Sequence, residues 1–197
     1  MASSTRVPAV EINGVYGALL KRMSRRMLGQ VPESIGVMWN NPPVFKDLMG
    51  FGRKAEKWDR LDPQLSTLAH MASAGAIGCG FCLDLHYFMT RRNGLDEAKA
   101  REVPRWRDSD AFTPLERRVM EYAEAMCQTP PTVTDEMSAR LAGELGAAAL
   151  VELTAKVAFM NATSRLNVSL GIRSQEFAAS CGLPPLAVPS TDVASPS

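Results

Sequence analysis

The segment DPQLSTLAHMASAGAIGCGFCLDLHYFMTRRNG, running from Asp62 to Gly94, decides the fold class. Asp62-Pro63 is a helix start: a capping carboxylate, then a proline at the first helical position, where its missing N–H costs nothing. Behind it, Leu65, Leu68, Ala69, Ala72 and Ala76 recur at helical spacing, and the small residues call for a close neighbour. Gly78 interrupts. Cys79 to Arg92 reads as a second helix, closed by Asn93-Gly94, a pair tolerant of left-handed backbone.

The same punctuation continues in both directions. Upstream, Asn13 caps a segment in which Val15, Leu19, Met23 and Met27 recur on one face and Gly29 stops the helix; these apolar residues are expected inward. Lys21, Arg22, Arg25 and Arg26 lie mostly on the other side and read as a solvated face. A short helix is expected within Pro32 to Asn40, and another from Pro42-Pro43 to about Trp58, with Val44, Leu48 and Phe51 inward. Downstream, Asp96 caps a short helix to about Arg101, and residues 104–112 are irregular. Thr113-Pro114-Leu115-Glu116 is a capping box that opens a helix to about Cys127. Pro130-Pro131 breaks the chain, Thr134 or Asp135 restarts it as far as Gly146, and Ala147 to Ile172 is the longest helical pattern, with Leu150, Leu153, Val157, Met160 and Leu166 apolar. No alternating strand pattern occurs. The expected fold is therefore all-α, one domain over residues 1–175 with its core at about 40–173. Residues 176–197 form a proline-rich C-terminal tail, free or strapped over the surface. Leu65 to Cys79 and Leu153 to Asn167 echo one another as Ala-rich stretches, which suggests an internal helix-pair duplication.

With 197 residues, 46% apolar and 22% charged, the chain has ordinary globular composition. A net charge of +1 gives no bulk field for nucleic acid or an anionic membrane surface. The first ten residues lack an apolar signal-peptide core, and no run is long enough to span a bilayer, so a cytoplasmic location is expected. In a reducing compartment the Cys79–Cys82 pair reads as redox-active or metal-binding, not as part of a disulfide framework. Cys127 and Cys181 read as bystanders. Asn161 and Arg165, at i,i+4, support the active-site helix or a subunit contact.

The chemistry lies in C-x-x-C-x-x-x-H. On one continuous helix, Cys82 follows Cys79 by about 300° and His86 by about 340°, so the three side chains share a face. The first helical turn favours thiolate through its unpaired N–H groups and the helix dipole, and an imidazole within reach can accept or return the proton. A thiolate reacts with peroxides and disulfides, and a second thiol then closes a disulfide, with no bound cofactor. The competing reading is zinc: Cys79, Cys82, His86 and His70 make a four-ligand set, the protein then being a metal-stabilised or non-redox structural oligomer.

These residues resemble the carboxymuconolactone decarboxylase-like superfamily, and within it the AhpD-type alkylhydroperoxidases. The likeness rests on Leu65 to Leu95, on Phe112 to Arg117 through Glu121-Tyr122-Ala123, and on Glu152-Leu153-Thr154 with Asn161 and Arg165-Leu166-Asn167. It implies an AhpD-like helical bundle that assembles into homo-oligomers, trimers or hexamers. It also implies peroxidase or disulfide-reductase activity of the peroxiredoxin type, with a hydroperoxide or disulfide as substrate and a dithiol or flavin-fed protein as reductant. By position, Cys82 would be the attacking thiol, Cys79 the resolving thiol and His86 part of a proton relay. Where the family carries its relay glutamate this chain has Thr67, whose hydroxyl cannot serve as a carboxylate base. His70, one turn after Thr67, is the candidate replacement. Decarboxylases of the superfamily do without the cysteine pair, which argues against lyase chemistry here.

Overall fold

The computed structural model describes residues 5–188, and among these it contains helices and turns but no strand. In chain order the helices are α1 (Gly14–Leu28), α2 (Glu33–Met38), α3 (Pro42–Ala55), α4 (Pro63–Ile77), α5 (Gly80–Phe88), α6 (Glu97–Arg101), α7 (Pro114–Cys127), α8 (Asp135–Leu145), α9 (Ala147–Leu170) and α10 (Phe177–Ser180), with 3-10 turns at Thr90–Asn93 and Val103–Arg105. Most of the boundary chemistry is as the sequence predicts, but the helix expected over Cys79 to Arg92 stops at Phe88, and a separate 3-10 turn carries the chain to Gly94. Asp62 accepts the amides of Gln64 and Leu65 at 2.7 and 3.4 Å, both arms of the Thr113–Glu116 capping box form, and Gly29 and Gly94 end their elements with left-handed backbone.

Helix α4 is the centre of the molecule and packs against α7, α9 and α5. Leu68, Ala69, Met71 and Ala74 are fully buried, as are Val119, Met120 and Ala123 of α7 and Leu153 and Val157 of α9. Burying each of the larger side chains stabilises the fold by about 1.5–3 kcal/mol. The alanines and Ser73 let the neighbouring backbones approach. The two stretches that echo each other, α4 and α9, face one another across this core.

The N-terminal helices form a satellite cluster of Ile12, Leu20, Ile35, Trp39 and Phe45. Here two expectations fail. Helix α1 turns Gly17, Leu20 and Ser24 inward, and leaves Val15 at 90% and Leu19 at 65% exposure, with Met23 and Met27 also exposed. Gly17 explains the choice: a Cβ there would come within 2.9 Å of Ile12 and 3.3 Å of Trp39, so this small-residue side is the one that fits against the tryptophan. The Asn13 side chain makes no cap bond and accepts instead from Trp39 Nε1 at 3.4 Å. In α3, Phe45 and Ala55 are buried, whereas Val44 and Phe51 are exposed; Phe51 packs edgewise on Trp58 and against Phe159.

Beyond α9 the chain is a strap. Phe177 is buried between Phe81 and Phe88, Tyr87 donates to the Pro184 carbonyl at 2.9 Å, and Arg101 donates to that of Pro185 at 2.8 Å. At the other end of the chain, Arg6 donates its backbone N–H to Leu170 and its guanidinium to the Val168 and Ser169 carbonyls. The amino end thus closes over the C-terminal end of α9, and the strap closes over α5 and the end of α6. Pro189 and Pro196 of the expected tail lie outside the described residues.

Candidate active site

Gly78 ends α4 with φ +78, a conformation that favours glycine, and Cys79 caps α5 at once, so the two helices share a corner without an intervening loop. Cys79 is therefore not on the helix face assumed from the spacing. Its backbone is non-helical, and its sulfur turns back to accept the Cys82 amide at 3.3 Å, as a capping side chain does. Cys82 lies within the helix, one turn before His86. Its sulfur accepts from Asn167 Nδ2 of α9 at 3.3 Å. Both thiols are free and buried, in an apolar nest of Val37, Ala74, Phe81, Met160, Ile172 and Phe177.

The sulfurs are not equivalent. Cys79 is drawn down to about 6 by a hydrogen bond from the Cys82 thiol, opposed by burial and helped by the Cys82 amide, Ser164 and Asn167. Cys82 is pushed up, because its proton is held by Cys79, because it is buried and because Cys79 carries the charge. The hydrogen bond couples the two thiols and favours charge on Cys79, the sulfur that also accepts the Cys82 amide.

His70 of α4 and His86 of α5 pair with each other, ring centroids 4.8 Å apart. Burial pushes His86 down to about 4. His70 is also held well below the usual histidine range, first by burial, then by His86 and by Lys156. Both imidazoles are neutral in the folded protein near pH 7. Because the unfolded chain takes up protons more readily, this stability is fully present above pH 6.5 and is lost as the pH falls toward 4. For His86 the loss is about 2–3 kcal/mol. Denaturant midpoints measured across that window should fall steadily, and less steeply in His86→Gln.

The other sequence candidates divide. The Thr67 hydroxyl is committed to structure: it donates to the Pro63 carbonyl at 2.9 Å and accepts from Asn93 at 3.0 Å, tying the turn after α5 to α4. The zinc set does not assemble. Among the described residues no three of His, Cys, Asp or Glu converge on a metal position, since the imidazoles face each other and the thiols face α9. Asn161 and Arg165 bind the Met126 and Cys127 carbonyls and so clamp the end of α7. Cys127 is buried beside the Ser73 carbonyl, and Cys181 is exposed.

The side chains to which sequence reasoning assigned no place at the site lie on α9. Glu152, Lys156, Met160, Ser164 and Asn167 are all buried and follow one another at intervals of three or four, a single stripe facing α4 and α5. Ser164 donates to the Met160 sulfur at 3.4 Å, and Asn167 reaches Cys82. The signal was present as polar residues recurring at helical spacing within an otherwise apolar helix.

Residues 42–125 match the Carboxymuconolactone decarboxylase family. The chain is 34% identical to the uncharacterized protein YnjA of Escherichia coli (strain K12), over 78% of this chain and 85% of that one. It is 26% identical to the uncharacterized protein YdfG of Bacillus subtilis (strain 168), over 49% and 67%. Among solved structures it is similar to the debrominase Bmp8 in complex with 2,3,4-tribromopyrrole, with TM-score 0.77, 20% identity, and coverage of 92% of this chain and 97% of that one. It is likewise similar to an AhpD-core, peroxidase-related protein of Ralstonia eutropha JMP134, with TM-score 0.78, 18% identity, and coverage of 90% and 96%.

Proposed function

This chain belongs to the carboxymuconolactone decarboxylase family, and from that premise we propose that it is a two-cysteine thiol oxidoreductase of the AhpD-like type, reducing hydroperoxides or disulfides. The observation that carries the reading is the Cys79 sulfur, fixed 3.3 Å from the Cys82 amide with the Cys82 thiol as its proton donor. A thiolate with its resolving partner already in contact is the starting state for two-electron chemistry.

In this reading the Cys79 thiolate attacks the distal oxygen of a hydroperoxide. The O–O bond breaks, the alkoxide leaves and takes a proton to become the alcohol, and Cys79 becomes a sulfenic acid. The Cys82 thiol then attacks the Cys79 sulfur. The S–S bond forms, and the sulfenic hydroxyl leaves with a proton as water. A dithiol, either a small molecule or a protein carrier, returns two electrons and two protons by exchange. In this reading Cys79 attacks and Cys82 resolves, the other order from the one the family resemblance implies, because the Cys82 amide and thiol both favour charge on Cys79. No cofactor enters these steps.

Assembly and location belong to the same proposal. The exposed run of Val15, Leu19, Met23 and Met27 on α1 is an apolar face that a further copy of the chain would cover in a homo-oligomer. Among the described residues no helix is long and apolar enough to cross a membrane, and free thiols suit a cytoplasmic, reducing setting.

The test is stopped-flow oxidation of the reduced protein by an alkyl hydroperoxide, followed by thiol counting, with sedimentation of the same preparation. The expected outcome is a fast loss of two thiols per chain, restored by a dithiol, in a particle larger than one chain. Thiol loss no faster than that of free cysteine would overturn the peroxidase reading.

A further inference from the structure

Asn167 is an amide in an unfavourable place for one. It lies in the last turn of α9, where asparagine is a weak helix former, and it is only 9% exposed. Burying an amide costs free energy unless its N–H groups find partners. The Asn167 backbone carbonyl is used locally, accepting from Ile172 at 2.9 Å. Its side chain crosses to α5 and donates Nδ2–H to the Cys82 sulfur at 3.3 Å, a contact between residues 85 positions apart. A neutral thiol is a weak acceptor, so in the resting protein this bond offsets little of the burial. A hydrogen bond to a charged partner is about twice as strong. The amide is therefore better matched to a Cys82 that has lost its proton than to the resting thiol.

The two sulfurs are served by different donors. Cys79 accepts the Cys82 amide at 3.3 Å, a bond that the start of α5 forms by itself as a cap. Cys82 draws its donor from another helix. Of the polar side chains at that level of α9, Ser164 commits its hydroxyl proton to the Met160 sulfur at 3.4 Å, and Asn167 reaches Cys82. Cys82 is also the less acidic thiol, pushed up by its hydrogen bond to Cys79 and by burial, with the α9 side chains acting the other way. The long-range donor thus goes to the sulfur that gives up its proton with more difficulty.

We propose that Asn167 is a catalytic residue of the closing step: its side-chain amide holds the Cys82 sulfur and stabilises the negative charge that builds there as Cys82 attacks oxidised Cys79. The inference rests on the thiol oxidoreductase reading, with Cys79 oxidised first. In this step the Cys82 sulfur bonds to the Cys79 sulfur. The S–O bond of the sulfenic acid breaks with its electron pair going to oxygen, and that oxygen takes the Cys82 proton and leaves as water. The departing oxygen is itself the proton acceptor, so the step requires no further base. What it requires is a donor whose bond strengthens as the proton leaves, which is how a fixed amide lowers a barrier at a site of developing charge.

Single-turnover oxidation by an alkyl hydroperoxide separates the two steps, with dimedone trapping the sulfenic acid and thiol counting following the disulfide. Asn167→Leu, which keeps the bulk and removes the donor, should form the sulfenic acid on Cys79 at close to the native rate and close the disulfide about 10–100-fold more slowly. Asn167→Asp has the same shape but sets a negative charge against the sulfur, and should close more slowly still. A second readout needs no turnover. In the Cys79→Ser background, the pH midpoint for alkylation of Cys82 by iodoacetamide, followed on the Cys82 peptide by mass spectrometry, should rise by about one pH unit when Asn167→Leu is added. Closure at the native rate in a folded Asn167→Leu, or an unmoved midpoint, would overturn the proposal. If the variants do not fold, the native protein decides: the side-chain amide resonances of Asn167 should move when the cysteine pair is oxidised, and resonances that stay in place would overturn it. A raised midpoint in a protein that fails to reduce hydroperoxide would reject the reaction, and the proposal with it, while the effect of the donor on Cys82 stood.

Discussion

Cys79→Ser is expected to abolish the fast reaction with hydroperoxide, with a loss of roughly 10³-fold in the first-phase rate, because it removes the sulfur that carries the charge. Cys82→Ser is expected to keep that first phase but stop there, leaving a sulfenic acid on Cys79 that a dimedone probe traps, with no disulfide formed. Its rate near neutral pH should still drop by up to about tenfold. The Cys82 thiol is the largest of the groups holding Cys79 at about 6, and a serine hydroxyl is a different donor at a different length. The order of the two effects is what the experiment decides. If Cys82→Ser is the dead variant and Cys79→Ser forms the trapped sulfenic acid, the attacking role belongs to Cys82, and the resting hydrogen bond merely stores the proton of the wrong sulfur.

Asp84→Ala is expected to cost about 3–5 kcal/mol of stability and to free the strap. The buried carboxylate accepts the Ser174 hydroxyl at 2.8 Å and the amides of Gln175, Phe177 and Ala178 at 3.3, 3.0 and 3.0 Å. Truncation leaves three backbone donors and a hydroxyl without their acceptor, and a lost hydrogen bond to a charged group costs more than a neutral one. Since Phe177 packs on Phe81 beside the thiols, release of the strap should raise both proteolytic nicking after residue 173 and the reactivity of the cysteine pair toward small alkylating reagents. Asp84→Asn tests the charge alone and should fall between the two proteins. A denaturation midpoint and nicking pattern unchanged in Asp84→Ala would show that the apolar seat of Phe177, and not the carboxylate, holds the segment down.

Where a feature depends on a residue and its near neighbours, the sequence was legible. Asp62 and Thr113 start helices because their side chains reach amides two or three residues on, and Gly29 and Gly94 stop elements because left-handed backbone suits them. Features that depend on what lies opposite were not legible. The period of α1 shows that Val15, Leu19, Met23 and Met27 share a face. Which face meets the protein is decided by Gly17 against Trp39, a contact between residues distant in sequence. The cysteine spacing picked out the pair on which the proposed chemistry rests. Placing both thiols on a continuous helix overlooked Gly78, whose left-handed turn leaves Cys79 as the cap. The α9 stripe was overlooked because its polar members interrupt an apolar pattern without breaking it. Thr67 was read from a family position, and only the structure reveals that its hydroxyl serves Pro63 and Asn93.

The thiol nest draws Val7 from the amino end, Val37 from α2, Met160 from α9 and Phe177 from the strap around a pair in mid-chain. Contacts of such long sequence separation close late, after the loops between them have been ordered. During synthesis the cysteines leave the ribosome roughly a hundred residues before Phe177, and until then nothing seals them. A nascent chain thus carries an open, unprotected dithiol, which makes the interval between translation of α5 and of the strap the period in which this protein is most easily miswired by oxidants or by the cysteines of other chains.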